Sequence, residues 1–157
     1  MAIQPSIRAL VGSASERCLK LVNVKSDKYK PFHVDLDKEI TISDDAPHWW
    51  NYFLCGLKGV VEQYESAFVW PTGMVVLVDG SIPPASGLSS SSALVIAGAL
   101  ATLTIAGKLE SFDRCALAAL CAESEKYIGT QGGGMDQAIE LLAEKGCAQS
   151  IEFNPLR

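Results

Sequence analysis

The sequence predicts one domain of the α+β class. Its length of 157 residues is enough for a single domain with a real hydrophobic core. Segments of alternating polarity fill the first forty residues and predict short strands. Helical segments follow, mixed with further strands but without the strict alternation of a parallel α/β fold. No internal repeat and no convincing domain linker interrupt this pattern.

The first elements are two strands and an amphipathic helix. The stretches "RCLKLVNV" (17–24) and "FHVDLD" (32–37) alternate with the period of a strand. A helix is predicted within 46–65, because Pro47 suits a first helical turn and apolar residues then recur at helical spacing. These apolar residues are Trp50, Phe53, Leu54, Leu57 and Val61.

A buried strand, a stiff loop and a buried helix form the centre of the chain. "GMVVLVDG" (73–80) is a compact apolar run bounded by glycines, which predicts a buried strand. The loop "SIPPASG" (81–87) follows, with two prolines and a glycine. The next segment, "LSSSSALVIAGALATLTIAG" (88–107), is small and apolar on all sides. It therefore predicts a helix that begins near Ser90 and lies inside the core.

Two more helices and a strand are expected in the last third. One helix is predicted from about 112 to 127, with Ser111 as its cap. Three glycines (132–134) precede another helix, which should end near Gly146. "CAQSIEF" (147–153) predicts a closing strand.

Composition argues against several classes of function. The net charge is −5 and no basic run is interleaved with aromatics, which disfavours binding to nucleic acid or to an anionic membrane. The five cysteines form no CxxC pair and only two histidines are present, so no zinc cluster is expected and the thiols should be reduced and mostly buried. The uncharged apolar segment 93–106 is shorter than the roughly 20 residues that span a bilayer. With no signal-peptide pattern at the amino terminus, a cytoplasmic protein is expected.

The serine-rich stretch "SGLSSSSAL" stands where the buried helix begins. A helix N-terminus offers unpaired N–H groups and a positive dipole end, and together these attract anions. Glycine and serine would let a phosphate approach closely, and hydroxyls add donors or metal ligands. A simple N-cap with a tolerant loop explains the stretch equally well. It is neither a Walker A motif nor a dinucleotide-binding fingerprint.

Carboxylates in two later stretches are candidates for chemistry. Asp136 in "GGGMDQ" directly follows three glycines at a helix start. It could be a general base in a cleft that a substrate enters, or an acidic residue that complements the helix dipole. Glu123 and Glu125 in "CAESEKYIG" share a helix, and either could simply be solvated.

These three stretches, in this order, resemble the GHMP small-molecule kinases, and within them the galactokinases. The longer stretch "EKYIGTQGGGMDQAIELLAEKGCAQSIEFNPLR" is similar to the N-acetylgalactosamine kinase branch in particular. The resemblance implies the α+β fold of the GHMP kinase N-terminal domain (ribosomal protein S5 domain 2-like). It implies that residues 1–157 are a partial form of that domain, incomplete at its first strand, with the C-terminal domain absent.

The resemblance also implies a reaction: transfer of the γ-phosphoryl group of ATP to the anomeric hydroxyl of N-acetylgalactosamine or galactose. Asp136 would be the base, Ser91 and Glu125 would hold Mg²⁺, and Gly133 and Gly134 would line the sugar together with Asp136. Ser91, Glu125 and Asp136 should then converge on one cleft. The partners would be small molecules, ATP and a sugar, and family members are usually monomeric. The residues expected at the ATP phosphates are Gly87, Leu88, Ser89, Ser90 and Ser91.

Two departures from the family pattern limit this resemblance. The galactokinase signature GRxNLxGEHxDY is absent, and the chain stops at Arg157, before the family's carboxy-terminal half. From this we expect negligible kinase activity for the chain alone and apolar surface left exposed. The alternative function is a non-catalytic nucleotide- or sugar-binding or sensing module derived from a galactokinase.

Overall fold

The computed structural model describes residues 3–43, 48–64, 68, 70 and 72–150. Two short 3₁₀ helices, Leu109–Ser111 and Glu125–Ile128, lie before and after the third α-helix. The strands of the described part are β1 (Ile7–Ala14), β2 (Cys18–Asn23), β3 (Phe32–Asp35) and β4 (Gly73–Gly80), and its α-helices are α1 (Trp49–Gln63), α2 (Ser90–Ile105), α3 (Arg114–Ser124) and α4 (Met135–Leu142).

The four strands form one mixed sheet in the order β1-β4-β2-β3. β1 pairs antiparallel with β4, and β2 pairs antiparallel with β3. The central pair, β2 and β4, is parallel. Parallel strands need a crossover connection, and α1 lies in the connection between these two. A mixed sheet with helices confirms the predicted α+β class.

The period-two pattern of β4 separates a core face from an outer face. Met74, Val76 and Val78 are buried, as are Leu19 and Leu21 of β2. The intervening side chains of β4 point to the opposite face of the sheet. That outer face carries exposed apolar side chains: Val75 and Leu77 are exposed, and Leu10, the cross-strand partner of Leu77, is 73% exposed.

Two glycines let α1 and α2 pack backbone against backbone. A β-carbon added to Gly56 would lie 1.8 Å from the carbonyl oxygen of Val95. One added to Gly98 would lie 2.0 Å from the carbonyl oxygen of Phe53. This contact lies in the core and holds α2, whose first residues reach the functional site described below.

We expect the G56A variant to lose about 3 kcal/mol of unfolding free energy, the upper end of the usual cost of overpacking, because the new methyl meets rigid backbone and the two helices must separate. Urea unfolding followed by circular dichroism measures this. G12A is the matched control: Gly12 lies in β1, and a β-carbon added there would meet nothing within 4 Å, so its effect should stay within about 0.5 kcal/mol. Equal stability of the two variants would contradict the close packing of α1 on α2.

Several predicted boundaries need correction. Ser111 does not cap α3: it ends a 3₁₀ helix, and the Asp113 carboxylate accepts the N–H groups of Cys115 and Ala116 at 3.0 and 3.1 Å. α4 ends at Leu142 rather than near Gly146. Residues 147–150 are not in a strand, and the rest of that predicted strand lies outside the described residues, as does Pro47.

Two predictions from composition concern the burial of the cysteine thiols and the length of the apolar helices. Cys18, Cys55 and Cys121 are buried, whereas Cys115 and Cys147 are exposed, and all are free thiols. Burial raises the pKa of Cys55 and of Cys121 to about 12, so both stay protonated at neutral pH. Within the described ranges, no helix combines the length and apolar character needed to cross a membrane.

Candidate functional site

A cavity of about 810 Å³ opens where the loop between β4 and α2 meets the beginnings of α1 and α4. Asn23, Lys25, Lys28 and Tyr29, at the end of β2 and in the β2–β3 turn, also line it. The residues contributed by the helices and the loop are Trp49, Tyr52, Ser81, Ile82, Pro83, Pro84, Ala85, Ser86, Gly87, Leu88, Ser89, Ser90, Ser91, Leu94 and Asp136.

The loop holds an unusual backbone conformation. Ala85, Gly87 and Ser89 have φ values of 55°, 72° and 58°, in the left-handed region. Non-glycine residues rarely adopt this region because of its cost, and they concentrate at ligand-binding sites. The backbone geometry therefore favours a ligand-binding loop over a passive connection.

The serines at the start of α2 do not cap the helix. Ser89 occupies the N-cap position, but its side chain makes no capping hydrogen bond. Ser86 donates to the Pro83 carbonyl at 2.7 Å, whereas Ser89, Ser90 and Ser91 make no side-chain hydrogen bond to the described residues. This argues against the N-cap explanation and leaves three hydroxyls available at the cavity.

The backbone at the same helix end also has free donors. The first hydrogen bond within α2 runs from the N–H of Ala93 to the carbonyl of Ser89 at 3.0 Å. The amides of Ser90 and Ser91 precede that bond and have no partner inside the helix. With the hydroxyls, they form a set of neutral donors at the positive end of a 16-residue helix, which is a favourable environment for an anion.

Glu125 lies beside this helix end, held by a buried hydrogen-bond network. It is only 6% exposed. The Ser92 hydroxyl donates to its Oε2 at 3.0 Å, and the Gln137 amide donates to the same oxygen. The network joins α2, the 3₁₀ helix after α3, and α4.

The second carboxylate oxygen of Glu125 is in a different situation. Oε1 accepts no hydrogen bond from the described residues. No fully buried side-chain N or O atom in that part of the chain lacks a partner, so Oε1 keeps contact with solvent. One oxygen is thus fixed by two donors while the other stays accessible.

The sequence-based site is therefore assembled in part. Ser91 and Asp136 line the same cavity. Glu125 does not line it, and the serine bonded to it is Ser92 rather than Ser91, the partner that the resemblance implied. The one-residue offset arises because Ser92 is buried and turned toward the 3₁₀ helix, while Ser91 faces the cavity.

The two glycines expected to line the sugar, Gly133 and Gly134, lie next to α4, which carries Asp136, rather than on the cavity itself. Gly134 occupies the N-cap position of α4 with φ 81°, a conformation that favours glycine. Neither Gly133 nor Gly134 lines the cavity. What they do in this structure is bring Asp136 into the first turn of α4, where a carboxylate is favourable.

Sequence reasoning did not single out Ser92 and Gln137 as buried partners, or Trp49 and Tyr52 as cavity residues. Gln137 is adjacent to Asp136 in sequence, but its inward orientation depends on how α4 packs. Trp49 and Tyr52 are three apart on α1, which places them on one face of the helix. That spacing was the available signal for a shared aromatic surface.

A second cavity of about 570 Å³ lies between β1, α2 and α4, and Glu140 is at its edge. Burial, and then the charges of Asp136 and Glu125, raise the pKa of Glu140 to about 8. The residue is nevertheless exposed by surface area, so solvent screens it and the energetic effect should be well below that of a fully buried acid.

We expect stability to fall as pH rises from about 4.5 to about 8, because the folded state keeps a proton on Glu140 that the unfolded chain has lost. The E140Q variant should lose this dependence and gain about 1 kcal/mol relative to the wild type at about pH 9, but nothing at about pH 4. Thermal unfolding at the two pH values checks it. E144Q, on an exposed residue outside both cavities, is the control, and an identical pH profile for E140Q and the wild type would count against the raised pKa.

Comparison with known proteins shows the family of this chain. Residues 51–144 match the family described as "GHMP kinases N terminal domain". This span holds most of α1 and all of β4, α4 and the loop between β4 and α2, which we call the serine loop. The chain belongs to the GHMP kinase family.

Individual GHMP kinases are similar over most of the chain. The galactokinase of Candida parapsilosis is 35% identical over 99% of this chain, which covers 31% of that protein. The galactokinase of Dictyostelium discoideum is 37% identical over 86% of this chain and 27% of its own length. The crystal structure of Lactococcus lactis galactokinase complexed with galactose superposes with a TM-score of 0.70 at 27% identity, covering 87% of this chain and 34% of that one. This GHMP kinase chain thus spans about a third of the length of these relatives.

Proposed function

We propose that the chain provides the ATP-binding part of a sugar 1-kinase that transfers the γ-phosphoryl group of ATP to the anomeric hydroxyl of galactose or N-acetylgalactosamine. One observation carries the proposal: uncommitted hydroxyl and amide donors lie on the same cavity as a carboxylate, Asp136. Such transfers depend mainly on positioning and on neutralising charge. The likeness to galactokinases supports the sugar as acceptor.

The loop would hold the phosphates through neutral donors. The backbone of Gly87, Leu88 and Ser89 and the hydroxyls of Ser90 and Ser91 would donate to phosphate oxygens. The left-handed turns at Gly87 and Ser89 are part of this arrangement, because they set the direction of the loop just before α2. A loop whose own backbone sets its shape loses less entropy when a ligand binds.

Asp136 would act as the general base. Deprotonating the anomeric hydroxyl makes it a better nucleophile, and a positioned base is typically worth about 10²–10⁴ in rate. The carboxylate is half-buried at the cavity wall, within the same space as the serine loop. Gly133 and Gly134 would let the sugar approach α4 closely.

Mg²⁺ fits this site as the partner of ATP. Magnesium prefers oxygen ligands and is usually held by one or two carboxylates together with substrate phosphates. The accessible Oε1 of Glu125, fixed in place through Oε2, would meet that requirement from beside the cavity, and the free hydroxyl of Ser91 on the cavity would be a second oxygen donor. When bound, the ion would neutralise phosphate charge.

The choice of sugar rests on two different likenesses. The galactokinase relatives favour galactose, whereas the stretch around "GGGMDQ" resembles the N-acetylgalactosamine kinase branch. ATP and a small sugar would be the partners of a cytoplasmic, monomeric protein.

The decisive experiment separates binding from chemistry. Isothermal titration calorimetry, in which ATP and Mg²⁺ are added to the purified chain, should show saturable 1:1 binding. A chimera in which this chain replaces the matching region of the Candida parapsilosis galactokinase should form sugar 1-phosphate, and supplying galactose or N-acetylgalactosamine separately identifies the acceptor. Binding of ATP without turnover in a folded chimera would favour a nucleotide-binding or sensing module, and absence of ATP binding would overturn the proposal.

A further inference from the structure

The turn between β2 and β3 forms one wall of the main cavity and is folded tightly. The N–H groups of Lys28 and Tyr29 both donate to the carbonyl of Lys25, at 3.1 and 2.9 Å. The N–H of Lys25 donates to Oδ1 of Asn23 at 2.9 Å. Although its lysines are exposed, the turn has a defined backbone shape.

The same turn is tied to the elements on both sides of it. The Lys25 ammonium donates to the carbonyl of Gly80, the last residue of β4, at 3.2 Å. The Trp49 indole N–H, at the start of α1, donates to the carbonyl of Lys30 at 2.9 Å. The wall is therefore held in place by contacts within the chain.

The charges that line the cavity are unevenly placed. Residues 81–92, which include the whole serine loop, contain no charged side chain. Asp136 contributes a negative charge, and the positive charges on the lining come from Lys25 and Lys28. A nucleoside triphosphate bound to this loop would meet neutral donors on one side and a carboxylate nearby. The negative charge that remains on it after Mg²⁺ binds would then be balanced by these lysines.

We propose that Lys25 and Lys28 bind the phosphate chain of the nucleotide and thereby set the preference of the site for a triphosphate. This inference rests on the proposed function and adds two nucleotide-binding residues to it. The hydrogen bond from the Lys25 ammonium to the Gly80 carbonyl places Lys25 beside the residue that directly precedes the serine loop. The Lys28 ammonium lies 5.2 Å from the centre of the Tyr29 ring, and this cation–π contact limits the positions that it can take. Because Lys28 is exposed, its ammonium stays hydrated and can turn toward a bound phosphate at little energetic cost.

Lysine suits this role better than it suits recognition of the sugar. Its ammonium group is a compact point charge that gains most from an anion, and an uncharged sugar offers it only a hydrogen bond. The contribution of both lysines should therefore grow with the number of phosphates on the ligand and decrease with added salt.

The test compares ligands that differ in phosphate number. ATP, ADP and adenosine are titrated by calorimetry into the full chain and into K25M, K28M and the double variant. Each single change should weaken ATP binding about fivefold and the double change about 25-fold, with a smaller loss for ADP and none for adenosine. K25R and K28R should keep ATP affinity within about twofold, since charge is retained.

K30M is the matched control. Lys30 lies in the same turn, its side chain does not line the cavity, and the substitution keeps the carbonyl that Trp49 contacts. Unchanged ATP affinity in the double variant would overturn the inference while leaving the proposed function intact. Equal weakening by K30M, or equal loss of adenosine binding, would also overturn it, since the lysines would then act through net charge or packing. If the unmodified chain binds no ATP, the proposed function fails and this inference fails with it.

Discussion

Replacing Asp136 by asparagine should reduce sugar 1-phosphate formation by about 10²–10⁴ while ATP affinity stays within about twofold. The change removes the proton acceptor but keeps the shape and polarity of the side chain in the first turn of α4. Because Asp136 shares the cavity with the serine loop but is not part of it, the phosphate contacts should persist. The assay is turnover in the galactokinase chimera, with ATP binding measured in parallel on the chain.

The control for this variant is E144Q. Glu144 is exposed and lines neither cavity, so turnover should be unaffected. A loss confined to kcat would support a base acting on bound substrate, whereas a loss confined to ATP affinity would place Asp136 at the nucleotide instead. Normal turnover of D136N would refute the base assignment.

Local sequence pattern was sufficient for the elements that carry the site. The glycine-bounded apolar run predicted β4 with the observed ends, 73–80, because its short length, its three valines and the flanking glycines favour a buried strand over a helix. The start of α2 at Ser90 was also predicted, from the change from loop residues to small apolar ones. The order of the three motifs along the chain supplied the family resemblance.

Features that depend on tertiary packing were not predicted. Ser91 and Ser92 are identical in sequence terms, and only the packing of α2 against the 3₁₀ helix decides which of them reaches Glu125. The ends of α3 and α4 were misplaced for a local reason: Asp113 competes with Ser111 as a cap, and nothing in the polar stretch after Leu142 marks the last turn. Nor could pattern reveal that the β2–β3 turn brings two lysines to the cavity, because that depends on the pairing of β2 with β4.

The second large effect is expected for Glu125. In the E125Q variant, the amide oxygen can take the place of Oε2 and still accept the hydrogen bonds of Ser92 and Gln137. The amide nitrogen then stands where Oε1 was accessible, and a donor in that place cannot bind a cation. The fold should therefore survive while the carboxylate ligand for Mg²⁺ is lost.

The measurement is the Mg²⁺ dependence of ATP binding, which does not require turnover. The unmodified chain should bind ATP more tightly as Mg²⁺ is added, and E125Q should lose most of that gain, with turnover of the chimera reduced about 10²–10³-fold. The thermal unfolding of E125Q should stay close to that of the unmodified chain.

Gln137 distinguishes a metal ligand from a merely structural carboxylate. Q137M removes one of the two donors to Oε2 but leaves Oε1 chemically intact, so it should cost about 1–3 kcal/mol of stability and weaken the Mg²⁺ effect only partly. Q137E would place a second carboxylate against Glu125 in a buried position and should destabilise the chain more. If E125Q kept the full Mg²⁺ dependence while Q137M abolished it, the ion would be held elsewhere, and Glu125 would serve only to join α2 to α4.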